Sequence, residues 1–144
     1  MKLVKQRDVD GCGIACVACV SEKPYYKVRR WMCDNLVDVG VPWESVPSRK
    51  YPWSHPAKLS WATWMHHLRK ALKQFGYKLT RQRNFVSWDA LQTDALVAIN
   101  ITKRDSGHWV IYNKKEHCVY DSIGKIRTDL GRMNPCYFAY IRGA

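Results

Sequence analysis

Three side chains in this sequence can combine into acyl-transfer chemistry, beginning with a cysteine. Cys12 lies between Gly11 and Gly13 at the head of a run of small residues, Cys12-Gly13-Ile14-Ala15-Cys16. The flanking glycines permit a tight turn into a helix and leave room for a substrate backbone to approach the sulfur. A thiol at a helix N-terminus faces the positive end of the macrodipole, which favours the thiolate and so makes a nucleophile. The competing reading is structural: free cysteine is common in cores, and Cys12 is then one more small buried residue beside Cys16 and Cys19.

A base and its orienting group come from the other end of the chain. Gly107-His108-Trp109-Val110-Ile111-Tyr112-Asn113 and Cys118-Val119-Tyr120-Asp121-Ser122 flank a short polar loop and read as a β-hairpin. A turn centred on Lys114-Lys115 sets His108 directly opposite Asp121, with Cβ atoms about 5 Å apart on one face. A carboxylate there fixes the imidazole's tautomer and orientation, as the third member of a nucleophile, base and orienter set must. A slip of one residue puts the two on opposite faces, so the register is a real constraint.

Gln6, a five-residue gap, Cys12-Gly13 and a small-residue helix resemble the N-terminal motif of the C39 peptidases, papain-like domains that remove double-glycine leaders from bacteriocins. Gly-His-Trp-Val-Ile-Tyr followed by Val-Tyr-Asp-Ser is similar to that family's histidine and aspartate strands, and the order of intervening elements also matches over nearly the whole chain. The resemblance implies a cysteine peptidase with Cys12 as nucleophile, His108 as base, Asp121 as orienter and Gln6 as an oxyanion donor beside the Cys12 backbone N–H. Losing such a donor costs about a hundredfold or more in rate. Gly11, Gly13, Gly107 and Trp109 are assigned to substrate binding, and no metal or cofactor is required. The family often carries Asp directly before the cysteine, where this chain has Gly11, with Asp10 one step back. No transporter segment follows, so the leader-peptide substrate of the exporter-linked members is not carried over as an expectation.

The elements that must position these groups are helices first and strands afterwards. Residues 11–20 carry Cys12, Ala15, Cys16 and Cys19 at helical spacing, so one face made of small residues is expected to pack closely. A second helix is expected over 26–39, ended by Gly40. A third is expected over 61–75, with Ser60 as N-cap, a stripe of Trp61, Trp64, Met65, Leu68, Leu72 and Phe75, and Gly76 closing it. Residues 40–58 hold four of the six prolines with Trp43 and Trp53 and cannot be regular structure. Strands are expected over 77–82, 95–101, 107–113, 118–122 and 136–142, with a capped helical turn over 87–91 and the 95–101 run central. The fold class is α+β, papain-like, with N-terminal helices on a mostly antiparallel sheet in one domain spanning 1–144.

Composition bounds these expectations. The 144 residues, 47% hydrophobic with seven Trp and eight Tyr, suit one compact domain and exclude a disordered or fibrous protein. The 24 Lys and Arg against 12 Asp and Glu give a formal charge of +12, which favours anionic partners such as nucleic acid, acidic peptides or membrane surfaces. The basic residues occur as scattered pairs, the pattern of a solvated surface, so nucleic acid is not the favoured partner; a peptide or protein substrate is. The six cysteines are expected to be free thiols in a reducing, cytoplasmic compartment, because no signal peptide and no membrane-spanning apolar run is found.

Other chemistries fit these residues less well. Cys12, Cys16 and Cys19 have the spacing of a radical SAM cluster motif, but they fall within a helix in a chain short for that machinery. A zinc site using these thiols with His66 and His67 lacks paired Cys-x2-Cys modules, and both histidines are expected on the exposed side of the third helix. The rival from another class is a catalytically silent papain-like binding module working through its basic surface. Within the enzyme class, deamidation or acyl transfer by the same three side chains is the alternative to peptide cleavage.

Overall fold

The computed structural model describes residues 1–8, 11–36, 63–100 and 107–143. Three helices occur among them: α1 (Cys12–Ser21), α2 (Tyr25–Asn35) and α3 (Met65–Gln74). Seven strands follow: β1 (Tyr77–Leu79), β2 (Arg83–Asn84), β3 (Ala95–Ile99), β4 (His108–Asn113), β5 (Cys118–Asp121), β6 (Lys125–Arg127) and β7 (Pro135–Gly143). They form one sheet in the order β1-β7-β3-β4-β5-β6, with β2 also paired to β7. All the pairings are antiparallel. The molecule is therefore α+β, as its order of helices and strands implies.

Both faces of the sheet are covered, which explains the unbroken apolar run Ala95-Leu96-Val97-Ala98-Ile99: every residue of β3 is buried. Leu96, Ala98, Trp109, Ile111 and Ala139 face the helices. Ala95, Val97, Val110, Tyr112, Val119 and Phe138 face away from them, under Phe85, Trp88, Leu91, Leu130 and Met133. The turn before β3 is capped as its sequence implies, the Ala90 N–H donating to Ser87 Oγ at 3.1 Å.

α1 departs from expectation in an informative way. A single packed face was expected, yet every residue from Cys12 to Val20 is buried. The helix lies between the sheet and the other two helices, and its small side chains let all of them approach.

α2 ends at Asn35, short of the expected Val39, and α3 begins at Met65 rather than near Trp61. Trp64 is the N-cap, extended and exposed, and its N–H donates to His67 Nδ1 at 2.8 Å. His67 is accordingly buried, which corrects its expected place on the outer side of the helix, whereas His66 is exposed. Gly76, at φ +90°, closes α3 in the left-handed conformation that glycine adopts without strain. The proline-rich stretch 40–58, Ser60, Trp61 and Gly40 lie outside the described residues, as does Asp10. No described helix is long and apolar enough to cross a membrane.

Candidate active site

Cys12 is the first residue of the ten-residue α1, and Gly11 is its N-cap with no side-chain capping bond. The positive end of the helix therefore falls at the sulfur. The two flanking glycines are required by neighbouring protein groups. A Cβ on Gly11 would collide with the Tyr25 hydroxyl and crowd the Asp8 carbonyl at 3.1 Å, and one on Gly13 would collide with Thr63 Oγ1 and approach Leu68 Cδ2 at 2.9 Å. Both glycines are buried, so the space beside them is filled by the protein's own side chains.

This crowding carries a prediction. Gly11→Ala should lower stability by about 1–3 kcal/mol in a urea titration, the usual cost of overpacking. Combining it with Tyr25→Phe, which removes the colliding oxygen, should cost less than the sum of the two single changes. Strict additivity would show that the steric account is wrong.

His108 begins β4 and Asp121 ends β5, and here the expected register needs correcting. Asn113 pairs with Cys118 and Val110 with Asp121, so the turn is centred one residue later than Lys114-Lys115. The loop holds no glycine for a two-residue primed turn; instead it runs over four residues and His117 takes the left-handed conformation at φ 49°. The displacement moves the pairing by two positions and therefore preserves the face. His108 becomes the diagonal neighbour of Asp121, a separation that an imidazole and a carboxylate can span. His108 Nε2 lies 2.7 Å from Asp121 Oδ1.

The carboxylate is held from both sides. Arg127 Nε donates to Asp121 Oδ2 at 2.6 Å, and the Ile123 N–H donates to Oδ1 at 3.2 Å. Burial alone would push the Asp121 carboxyl up, but the bonds from His108 and Arg127 outweigh it and hold it at about 2. For His108, burial disfavours the imidazolium, and hydrogen bonds to Asp121 and to Cys12 overcome it, raising the imidazole to about 9. Cys12 and Asp121 thus act on the imidazole in the same direction, each favouring its charged form. With Nε2 engaged by Asp121, Nδ1 is the ring nitrogen left for the sulfur.

Gln6 is fastened to the same corner. Its backbone N–H donates to the Ser122 carbonyl at 2.6 Å, and its side-chain Oε1 accepts from Ser122 Oγ at 2.7 Å. These bonds orient the amide so that Nε2 turns away from Ser122 and donates to the Asp8 carbonyl at 3.0 Å. Ser122 Oγ, its proton committed to Gln6, stands 3.3 Å from His108 Nε2 and can accept from it alongside Asp121. No family model matches this chain, nor does any curated protein.

The remaining assigned residues divide. Gly107 is exposed immediately before His108. Trp109 points to the helical side of the sheet, buried, its indole N–H donating to the Thr63 carbonyl at 2.8 Å. That bond ties β4 to the segment before α3 and fixes the strand that carries His108.

All six cysteines are free. Burial raises Cys16 well above the ordinary thiol range and pushes Cys19 up to about 12. Among the described residues no group of three or more His, Cys, Asp or Glu is arranged to hold a metal ion.

Three residues not singled out from the sequence belong to this assembly. Ser122 links Gln6 to His108, and Arg127 anchors Asp121. Asp8 receives Gln6 Nε2 and the Gly11 N–H on its carbonyl, while its buried carboxylate accepts from Arg29 Nε and the Tyr25 hydroxyl, each at 2.8 Å. Ser122 was the most legible of them, since it directly follows the aspartate.

Proposed function

We propose that this chain is a cysteine hydrolase with a papain-like, C39-like domain that cleaves peptide bonds. The observation that supports it is the 2.7 Å contact of His108 Nε2 with the buried Asp121 carboxylate, together with a Cys12 thiol at the N-terminus of α1 that acts on the same imidazole.

The chemistry follows from that placement. The Cys12 thiol gives its proton to His108, and the sulfur attacks the scissile carbonyl carbon. The negative charge that develops on the carbonyl oxygen is met by the Cys12 backbone N–H at the start of α1 and by a hydrogen of Gln6 Nε2. Collapse breaks the C–N bond, and the departing amine takes the proton from the His108 imidazolium, leaving a thioester on Cys12. Water, deprotonated by His108, then hydrolyses the thioester and restores the thiol. Asp121 holds the imidazole and balances its charge throughout.

Alkylation tests the reading without a known substrate. Treated with iodoacetamide at pH 6, the protein should be modified at Cys12 ahead of its other thiols. Cys136 is the internal control, because it is the one cysteine that is not buried. Modification of Cys136 first, or slow and uniform labelling, would overturn the assignment.

A further inference from the structure

The mechanism uses the imidazole edge that faces the sulfur. His108 and Asp121 also form part of the wall of a cavity of about 580 Å³ that Cys12 does not line. That volume lies within the range of pockets that bury a small ligand or a few residues of peptide.

Its lining has two characters. Ile99 and Met133 supply apolar wall, continued by Ile123 and Ile126, which are 43% and 55% exposed. Isolated exposed apolar residues need no explanation, but two at the mouth of one cavity offer a continuous aliphatic surface. The charges are Lys125, Arg127 and Arg132 against Asp121 and Asp129. Arg127 is paired with Asp121, and among the described residues neither Lys125 nor Arg132 takes part in an ion pair. The cavity is therefore cationic beyond its internal pairs.

Acyl-transfer chemistry says which part of a substrate lies here. The acyl portion stays on the sulfur, and the departing amine collects its proton from His108. The segment that leaves runs past the imidazole, and His108 with Asp121 forms part of the wall of this cavity. We propose that the cavity is the leaving-side subsite and that it takes an acidic, aliphatic peptide segment, with carboxylate side chains against Lys125 and Arg132 and an aliphatic side chain against Ile126 and Met133. The orientation rests on the hydrolase reading above, whereas the affinity for such a peptide does not.

The Cys12→Ala protein, which cannot turn over, serves for the test by titration calorimetry at low salt. A capped hexapeptide of alternating leucine and glutamate should bind at least tenfold more tightly than its leucine–glutamine counterpart. Adding Lys125→Glu and Arg132→Glu, both at exposed positions, should remove that preference. Equal binding of the two peptides, or a preference unchanged by the charge reversals, overturns the proposal, as does binding of hexathymidylate in place of either peptide. Selective alkylation of Cys12 without a peptide preference removes only this subsite. A charge-dependent peptide preference with unselective alkylation keeps the acidic-peptide site and removes the hydrolase.

Discussion

His108→Ala is expected to slow alkylation of Cys12 at pH 6 by about a hundredfold or more, and to slow it only severalfold at pH 9. An ordinary thiol titrating near pH 8.5 is only about 0.3% thiolate at pH 6, so a cysteine deprived of its imidazole loses nearly all of its reactive form there. At pH 9 a thiol no longer needs the base. Asp121→Asn, which keeps the shape and removes the charge, should fall between, at about a tenfold loss. The readout is the second-order rate with iodoacetamide across the two pH values. A His108→Ala protein that reacts at the parental rate at pH 6 would falsify the pairing of the thiol with the imidazole.

The same pair shapes stability. His108 is raised from 6.5 to about 9, so its contribution is complete below pH 6.5 and fades as pH rises through about 9. Asp121 is lowered to about 2, so its contribution is complete above the ordinary carboxylate range and fades as pH falls toward 2. Both are whole between about pH 5 and 6.5. The stability difference between the parent and Asp121→Asn should be widest in that window and shrink above pH 9.

Whether an element was legible in the sequence depended on whether pattern or contact decides it. β3 was legible because a short apolar run with β-branched residues, followed by a polar stretch, suits a strand buried on both faces, and that strand lies at the middle of the sheet. α1 was legible as a helix, but its full burial was missed, although Cys12 to Val20 contains no charged residue and that absence was the signal. The hairpin face survived an error in register because the displacement was by two. Lys125-Ile126-Arg127 left no such mark: β6 is short and largely exposed, and it exists because it pairs with β5. Arg127 could not be placed beside Asp121 without knowing that pairing. The start of α3 was misplaced because Trp61 and Trp64 continue the helical period, while the first turn is set by the bond between His67 and the Trp64 N–H, a contact that periodicity does not encode.

Arg29→Met is expected to cost about 3–5 kcal/mol, a larger loss of stability than overpacking at Gly11 should cause. Arg29 and Asp8 form an ion pair at 2.8 Å with both side chains only 2% exposed. Methionine matches the length of the arginine stem but leaves the Asp8 carboxylate buried with the Tyr25 hydroxyl and no countercharge, and an uncompensated buried charge costs far more than the intact pair contributes. For a chain of this size the loss should lower Tm by on the order of 10 °C. Because the Asp8 carbonyl holds both the Gly11 N–H and Gln6 Nε2, the damage should reach the site: the surviving folded protein should alkylate Cys12 more slowly at pH 6. Adding Asp8→Asn, which removes the stranded charge while keeping the backbone contacts, should recover part of the lost stability. A denaturant titration in which Arg29→Met costs under about 1 kcal/mol, or in which Asp8→Asn deepens the loss, would mean that the pair does not support the cysteine loop in this way.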